Sequence, residues 1–380
     1  MNQKWDIFCK VIDNFGDIGV CWRLSKQLSN EYELQVRLWV DDLAIAKKII
    51  PEINTSRASQ LIENVEICQW QEDFSSSVTF NIEVADVVIE AFACELPPSY
   101  ISAMTEKKPV WINLEYLSAE SWIDEFHAKN SRHQATGLDK HFFFPGFTKQ
   151  TGGLLREKNL IAERDAFQGS STQQQAFWNT IGADKNDSLA ISLFCYPHAP
   201  IASLLECLKS SSRPVLCLIP KSTIILEISR LLALKSIKVG EKITYGNLTI
   251  QIIPFLSQQQ YDQLLWACDI NFVRGEDSWV RAIWAAKPLI WQPYFQQEDT
   301  HIVKRNAFLD SYYGPPDTEA KAAARACHLD WCGQHFDLQH WEALLQNMNE
   351  LQAYHARQSM RLAQQPDLAA KLVNFCGNRL

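Results

Sequence analysis

No apolar run in this sequence approaches the roughly 20 residues needed to cross a bilayer. The opening "MNQKWDIFCKVIDNFGD" is broken by charge too early for a signal peptide, so a cytoplasmic protein is expected. Positive charge is in deficit: 36 Lys and Arg stand against 44 Asp and Glu, a net charge of −8. That excludes a nucleic-acid binder working by broad phosphate neutralisation, and leaves room for a basic protein partner or a cationic substrate group. Low-complexity tracts and internal repeats are absent. So is any CxxC pair, although there are 11 cysteines. Most stand singly in apolar segments (Cys9, Cys21, Cys195, Cys217, Cys268), as small buried hydrophobes do in a reducing compartment. The one cluster, Cys327, His328, Cys332 and His335 in "CHLDWCGQHF", lacks the paired spacing of a zinc site and reads as a helix end with packed aromatics; no metal site is expected.

What the chain does contain is alternation. With 380 residues, two domains are the first expectation. "WDIFCKVI", "YELQVRLWV", "NVEICQW", "VADVVIEAF" and "KPVWINLEY" read as short strands, their apolar runs nearly continuous, as in parallel sheets covered on both faces. Residues 118 to about 170 are polar, and "FFFPGFTKQTGG" within them looks like the end of a domain. A second series follows: "SLAISLFCY", "RPVLCLIP", "NLTIQIIPFL", "CDINFVRG" and "KPLIWQPY". Two successive α/β units with a ligand cleft between them are expected, residues 1–155 and 156–361, with a C-terminal helix at about 362–380 packing back on the first.

The densest segment is Cys268 to Asp310. A buried strand turns through Arg274, Gly275, Glu276, Asp277 and Ser278 into a helix. Glycine admits close approach of a ligand to the backbone, the first amides of the helix point outward, and Arg274 adds a bidentate donor. A diphosphate would fit there; an ordinary turn with Asp277 or Ser278 capping the helix is the competing reading. Phe194 and Tyr196 in one loop, and Phe255, Leu256, Ser257, Gln258 and Tyr261 in another, offer ring faces and main-chain groups suited to a nucleobase. This layout resembles the donor half of glycosyltransferases with two facing Rossmann-like domains, the GT-B fold. Their ribose-holding glutamate would fall near Arg281, so that role must move, to Glu276 or Asp277.

Near the N-terminus, "DNFGDIGVCWRL" forms a glycine-bearing turn after the first strand, but with two carboxylates and no lysine or arginine. Such a turn repels phosphate. It suits a cation, or Asp17 simply starting the next helix. Together with "SLFCYPHAP", "PFLSQQQYDQLLWACDINFVRGEDSWVRAIWAAKP" and "WQPYFQQEDTHIVK", this turn resembles, in order and over essentially the whole length, the bacterial protein-arginine rhamnosyltransferases of elongation factor P.

The resemblance implies a metal-independent inverting GT-B enzyme with no cofactor. It would move rhamnose from TDP-β-L-rhamnose to an arginine guanidinium of elongation factor P, which supports translation of polyproline stretches. It implies Asp17 as the acceptor-side carboxylate with Asp13 in support, and Glu276 within the catalytic motif. Asn14, Phe15 and Gly16 would border the donor. Phe194, Tyr196, Leu256, Ser257, Gln258 and Tyr261 would hold the thymidine end, and Arg274, Gly275, Asp277 and Ser278 the ribose and diphosphate. Elongation factor P would be the partner, with no nucleic acid and no membrane. The alternatives are an inverting GT-B enzyme for a small-molecule acceptor, and a non-catalytic nucleotide-sugar-binding regulator.

Overall fold

Trp5, Ile7 and Cys9 of the first strand, β1 (Lys4–Cys9), join one apolar cluster while Phe8 joins another. That is the period-two division of a strand buried on both faces, and it puts β1 inside a parallel sheet. The computed structural model describes residues 3–12, 15–70 and 83–380, so Asp13 and Asn14 lie outside the described residues. The chain divides into two units, Met1–Lys158 with Gln365–Leu380, and Asn159–Gln364.

In the first unit β1 leads to α1 (Gly16–Tyr32), β2 (Gln35–Val40), α2 (Leu43–Ile49), β3 (Ser59–Ile62), β4 (Val65–Gln69) and β5 (Val87–Ala91). Then come α3 (Pro98–Lys107), β6 (Val110–Leu114), α4 (Ile123–Phe126), β7 (Asn130–Arg132) and β8 (Asp139–Phe143). The sheet runs β3-β4-β2-β1-β5-β6-β8-β7. It is parallel except where β3 pairs with β4 and β7 with β8. β2 lies on one side of β1 and β5 on the other, so the strand order reverses at the carboxyl ends of β1 and β5, where α/β sheets take their ligands.

The second unit contains α5 (Leu160–Gln168), α6 (Ser171–Thr180), β9 (Leu189–Leu193), α7 (Ile201–Lys209), β10 (Val215–Pro220), α8 (Ile224–Leu231), β11 (Lys242–Tyr245) and β12 (Leu248–Ile253). It continues with α9 (Gln258–Ala267), β13 (Ile270–Arg274), α10 (Asp277–Ala285), β14 (Leu289–Gln292), α11 (Thr300–Tyr312), α12 (Glu319–Trp331), α13 (Leu338–Gln346) and α14 (Met348–Ala363). Its sheet order is β11-β12-β10-β9-β13-β14, antiparallel only at β11, with the reversal between β9 and β13.

The last helix, α15 (Leu368–Gly377), returns to the first unit and places Leu368, Ala369, Leu372 and Cys376 in its core beside α1. Asp367 caps α15 through the Ala370 amide and accepts from Gln27 of α1 at 3.2 Å. With α15 on one side and the sheet on another, α1 is buried nearly all round, Arg23 and Gln27 included. Arg23 meets that burial with Glu157 at 3.5 Å.

Four strands escape the apolar-run reading. β3, β7 and β11 are antiparallel edge strands with few buried side chains. β8 falls in the polar stretch read as the end of a domain, yet its residues pair in parallel with β6. An edge strand needs only one hydrogen-bonded neighbour, so no long apolar run announces it. The β3–β4 turn is built from Glu63 and Asn64 with φ of +44° and +64°, the doubly left-handed turn that suits strand twist, without the glycine that would signal it.

Candidate active site

In the first unit Phe15 takes the N-cap position of α1 and Gly16 begins the helix, so Asp17 lies within the first turn. Asp17 is only 2% exposed. Its Oδ2 accepts the Ile12 amide at 2.8 Å, and its Oδ1 accepts the Tyr116 hydroxyl at 3.2 Å. The N-cap Phe15 has no side chain able to cap, and the Asp17 carboxylate reaches back along the loop and across to Tyr116, two positions past the end of β6. The neighbouring Val11 amide donates to Asp41 at 3.0 Å, so two carboxylates hold the β1–α1 connection. Phe92, just past β5, stacks on Tyr116 with ring centroids 4.3 Å apart and planes 14° from parallel. The carboxyl ends of β1, β5 and β6 thus bring Asp17, Phe92 and Tyr116 together.

In the second unit Arg274 ends β13, and its guanidinium lies over Phe194 at 4.3 Å and over Tyr196 at 4.5 Å. Its Nη1 donates to the Cys195 carbonyl at 3.2 Å. Both aromatics follow β9, so the two strands at the reversal contribute one charged, ring-lined surface. Gly275 takes φ +60°, which a side chain would disfavour, and this turn directs the chain into α10. Its amide donates to the Gln292 carbonyl at 3.1 Å, and its own carbonyl accepts the Trp291 indole at 2.7 Å. Gln292 Oε1 accepts the Tyr196 amide at 2.8 Å, which laces the end of β14 to the same loops.

Glu276 is the N-cap residue of α10 and makes no side-chain cap. Ser278 turns back to Arg274, accepting its amide at 3.0 Å and donating to its carbonyl. The capping reading of Ser278 therefore does not describe its bonds: its hydroxyl is committed to the Arg274 backbone, at the end of β13, where the positive end of the α10 dipole lies. Arg281, where the GT-B comparison would put a ribose-holding glutamate, is buried in a bidentate pair with Asp262 at 2.9 and 2.7 Å.

Tyr261 approaches Phe194 edge-on at 5.8 Å. Burial pushes its phenol pKa up, with Ser278 opposing and Asp277 adding to the shift. Leu256 is buried before α9, while Ser257 closes a capping box with Gln260 through bonds of 3.2 and 3.1 Å. Gln258 begins α9 itself. Phe194, Tyr196, Tyr261, Arg274 and Ser278 are thus gathered by the fold, and Leu256, Ser257 and Gln258 stand together at the start of α9.

Sequence reading passed over Tyr116, Phe92, Gln292 and Asp41. The usable signal for the first three was position: polar or aromatic residues at or just past the carboxyl ends of strands at or next to a reversal. Among the described residues no group of three or more His, Cys, Asp or Glu side chains forms a possible metal-ligand set. Cys327 and His328 lie inside α12, where His328 Nδ1 meets the Ala324 carbonyl at 2.9 Å. None of the described helices is long and apolar enough to cross a membrane.

Two α/β units, each with an order reversal and charged or aromatic loops at its carboxyl edge, make up the two-domain fold of the GT-B class. The same fold is seen in the spinosyn rhamnosyltransferase SpnG complexed with thymidine diphosphate, at TM-score 0.51 and 10% identity, covering 98% of this chain and 99% of that one. The chain belongs to the elongation factor P (EF-P) rhamnosyltransferase family EarP, whose profile matches residues 5–377. It is 44% identical to a protein-arginine rhamnosyltransferase of Pseudomonas putida over 100% of both chains. A solved structure concerned with EarP-mediated arginine glycosylation of translation elongation factor EF-P covers 100% of both chains, at TM-score 0.71 and 34% identity.

Proposed function

We propose that this chain transfers rhamnose from TDP-β-L-rhamnose to a guanidinium nitrogen of an arginine in elongation factor P, in the cytoplasm, with inversion at the anomeric carbon. The observation that carries the reading is full-length membership of the family in a chain with a buried, doubly held carboxylate at one strand reversal and an arginine-bearing helix start at the other. The second unit takes the donor. Arg274 and the amides opening α10 receive the diphosphate, with Gly275, Asp277 and Ser278 around them, and the aromatic loops with residues 256–258 receive the thymidine. Asn14, Phe15 and Gly16 border the sugar.

The first unit takes the acceptor. A guanidinium has a pKa above about 12 and a delocalised lone pair, so a carboxylate with a reference pKa near ~3.9 cannot strip it in the ground state. Asp17, supported by Asp13, instead grips N–H groups, localises the charge and aims one nitrogen. That nitrogen attacks the anomeric carbon, the carbon–oxygen bond to TDP breaks, and its electron pair leaves with the phosphate oxygen. The departing nitrogen proton passes to Asp17 as the new bond forms. Arg274 and the α10 dipole stabilise the negative charge that develops on TDP. Glu276 completes the set of catalytic carboxylates.

Intact-mass measurement on elongation factor P incubated with enzyme and TDP-rhamnose tests this directly. One added deoxyhexosyl group on the target arginine is expected, and Asp17→Asn should abolish it while leaving TDP binding near wild type. An unchanged acceptor mass with active donor present would reject the reading, and transfer to a small molecule instead would favour the alternative enzyme class.

A further inference from the structure

Phe92, Ala93 and Glu95 all adopt left-handed backbone, with φ of +57°, +52° and +58°, in a turn that contains no glycine. Each such residue is strained, and persists only where its surroundings over-determine it. Here they do. The Phe92 amide donates to the Leu114 carbonyl at 2.7 Å, and the Ala93 amide to Asn113 Oδ1 at 3.1 Å. The Glu95 amide donates to Glu90 Oε1 at 3.1 Å, and both Asn113 and Glu90 are buried. The turn holds the Phe92 ring flat against Tyr116, whose hydroxyl reaches Asp17. Tyr116 remains 36% exposed, so core packing alone does not account for a ring clamped this firmly.

We infer that Tyr116 is a positioning residue for arginine glycosylation, fixing the Asp17 carboxylate plane for the acceptor guanidinium, and that the strained Phe92 turn is its backing. The Ile12 amide donates to one oxygen of Asp17 and the Tyr116 hydroxyl to the other, from two different elements. Orientation of this kind matters most for a weak nucleophile, which reacts only when one nitrogen is aimed.

The inference rests on the rhamnosyl-transfer reading and is tested with Tyr116→Phe, which keeps the ring and loses the hydroxyl. The kcat for transfer to elongation factor P should fall about 10- to 100-fold with KM for TDP-rhamnose unchanged. Loss of a donor to the charged carboxylate raises its pKa, so the acid limb of the pH profile should move to higher pH. Phe92→Leu, which removes the stacked face, should lower kcat in the same sense. A wild-type kcat and an unmoved acid limb in Tyr116→Phe would overturn the inference. Titration of the Asp17 carboxyl by 13C NMR reads the tyrosine's hold without turnover. An upward-shifted Asp17 in an enzyme that glycosylates nothing sinks the transfer reading and supports the placement of Tyr116; an unshifted Asp17 in an active enzyme sinks that placement alone.

Discussion

Arg274 carries its charge between two ring faces, and that setting explains why arginine and not lysine stands there. A planar guanidinium stacks on Phe194 and Tyr196 while donating in its plane to the Cys195 carbonyl; a lysine ammonium offers a point charge and no plane. Arg274→Lys is therefore expected to weaken TDP binding by roughly 10- to 100-fold, the size of a charge-assisted hydrogen bond. Isothermal titration with TDP measures it, and an affinity within twofold of wild type would remove Arg274 from the donor site. The candidate loop around Arg274 was legible in the sequence, because arginine, glycine and acidic residues after a buried strand form a local motif. Tyr116 was not. Its partner Asp17 is 99 positions away, and nothing in "WINLEY" marks the hydroxyl as the part that matters.

At the scale of elements, α15 is the piece whose contribution exceeds its length. Ten residues close the apolar face of α1, and Leu372 is completely buried there. Leu372→Ala leaves a cavity in that core and should cost about 2–5 kcal/mol. Hydrogen exchange should then show reduced protection of amides in β1 and α1, and unaltered protection would mean that α15 is not part of the first unit's core. The parallel strands were readable because burial on both faces demands near-continuous apolar runs. The edge strands β3, β7 and β11 were not, since one-sided pairing and exposed side chains make no such demand.

For the whole molecule, buried histidines set the response to acid. His355 is fully buried between Tyr312 and Tyr313, whose hydroxyls meet its two ring nitrogens at 3.0 and 3.2 Å; a neutral ring lets one tyrosine donate and the other accept. Burial lowers its pKa to about 3, with His328 adding to the shift, and burial lowers His328 itself to about 4. In the unfolded chain both take a proton near pH ~6.5. Below that pH the unfolded state binds more protons than the folded one, so stability is lost on acidification and is fully present above it. From pH ~7 to ~5 the loss should be roughly 2 kcal/mol for each histidine. Urea unfolding at the two pH values reads the loss, and His355→Gln should shrink the difference; an equal difference in the variant would move the acid response to other groups.

By itself the sequence determined which long apolar runs are buried strands and which turns carry charge at a helix start, two carboxylates after the first strand and an arginine with a glycine after another. These are local consequences of side-chain chemistry and period, and they survive without coordinates. Only the tertiary structure decided which strand ends lie side by side, and hence that Tyr116 meets Asp17, that Arg274 lies on Phe194 and Tyr196, and that a C-terminal helix completes an N-terminal core. Those pairings join residues tens to hundreds of positions apart, and they are selected by the burial of whole faces rather than by any short stretch of chain.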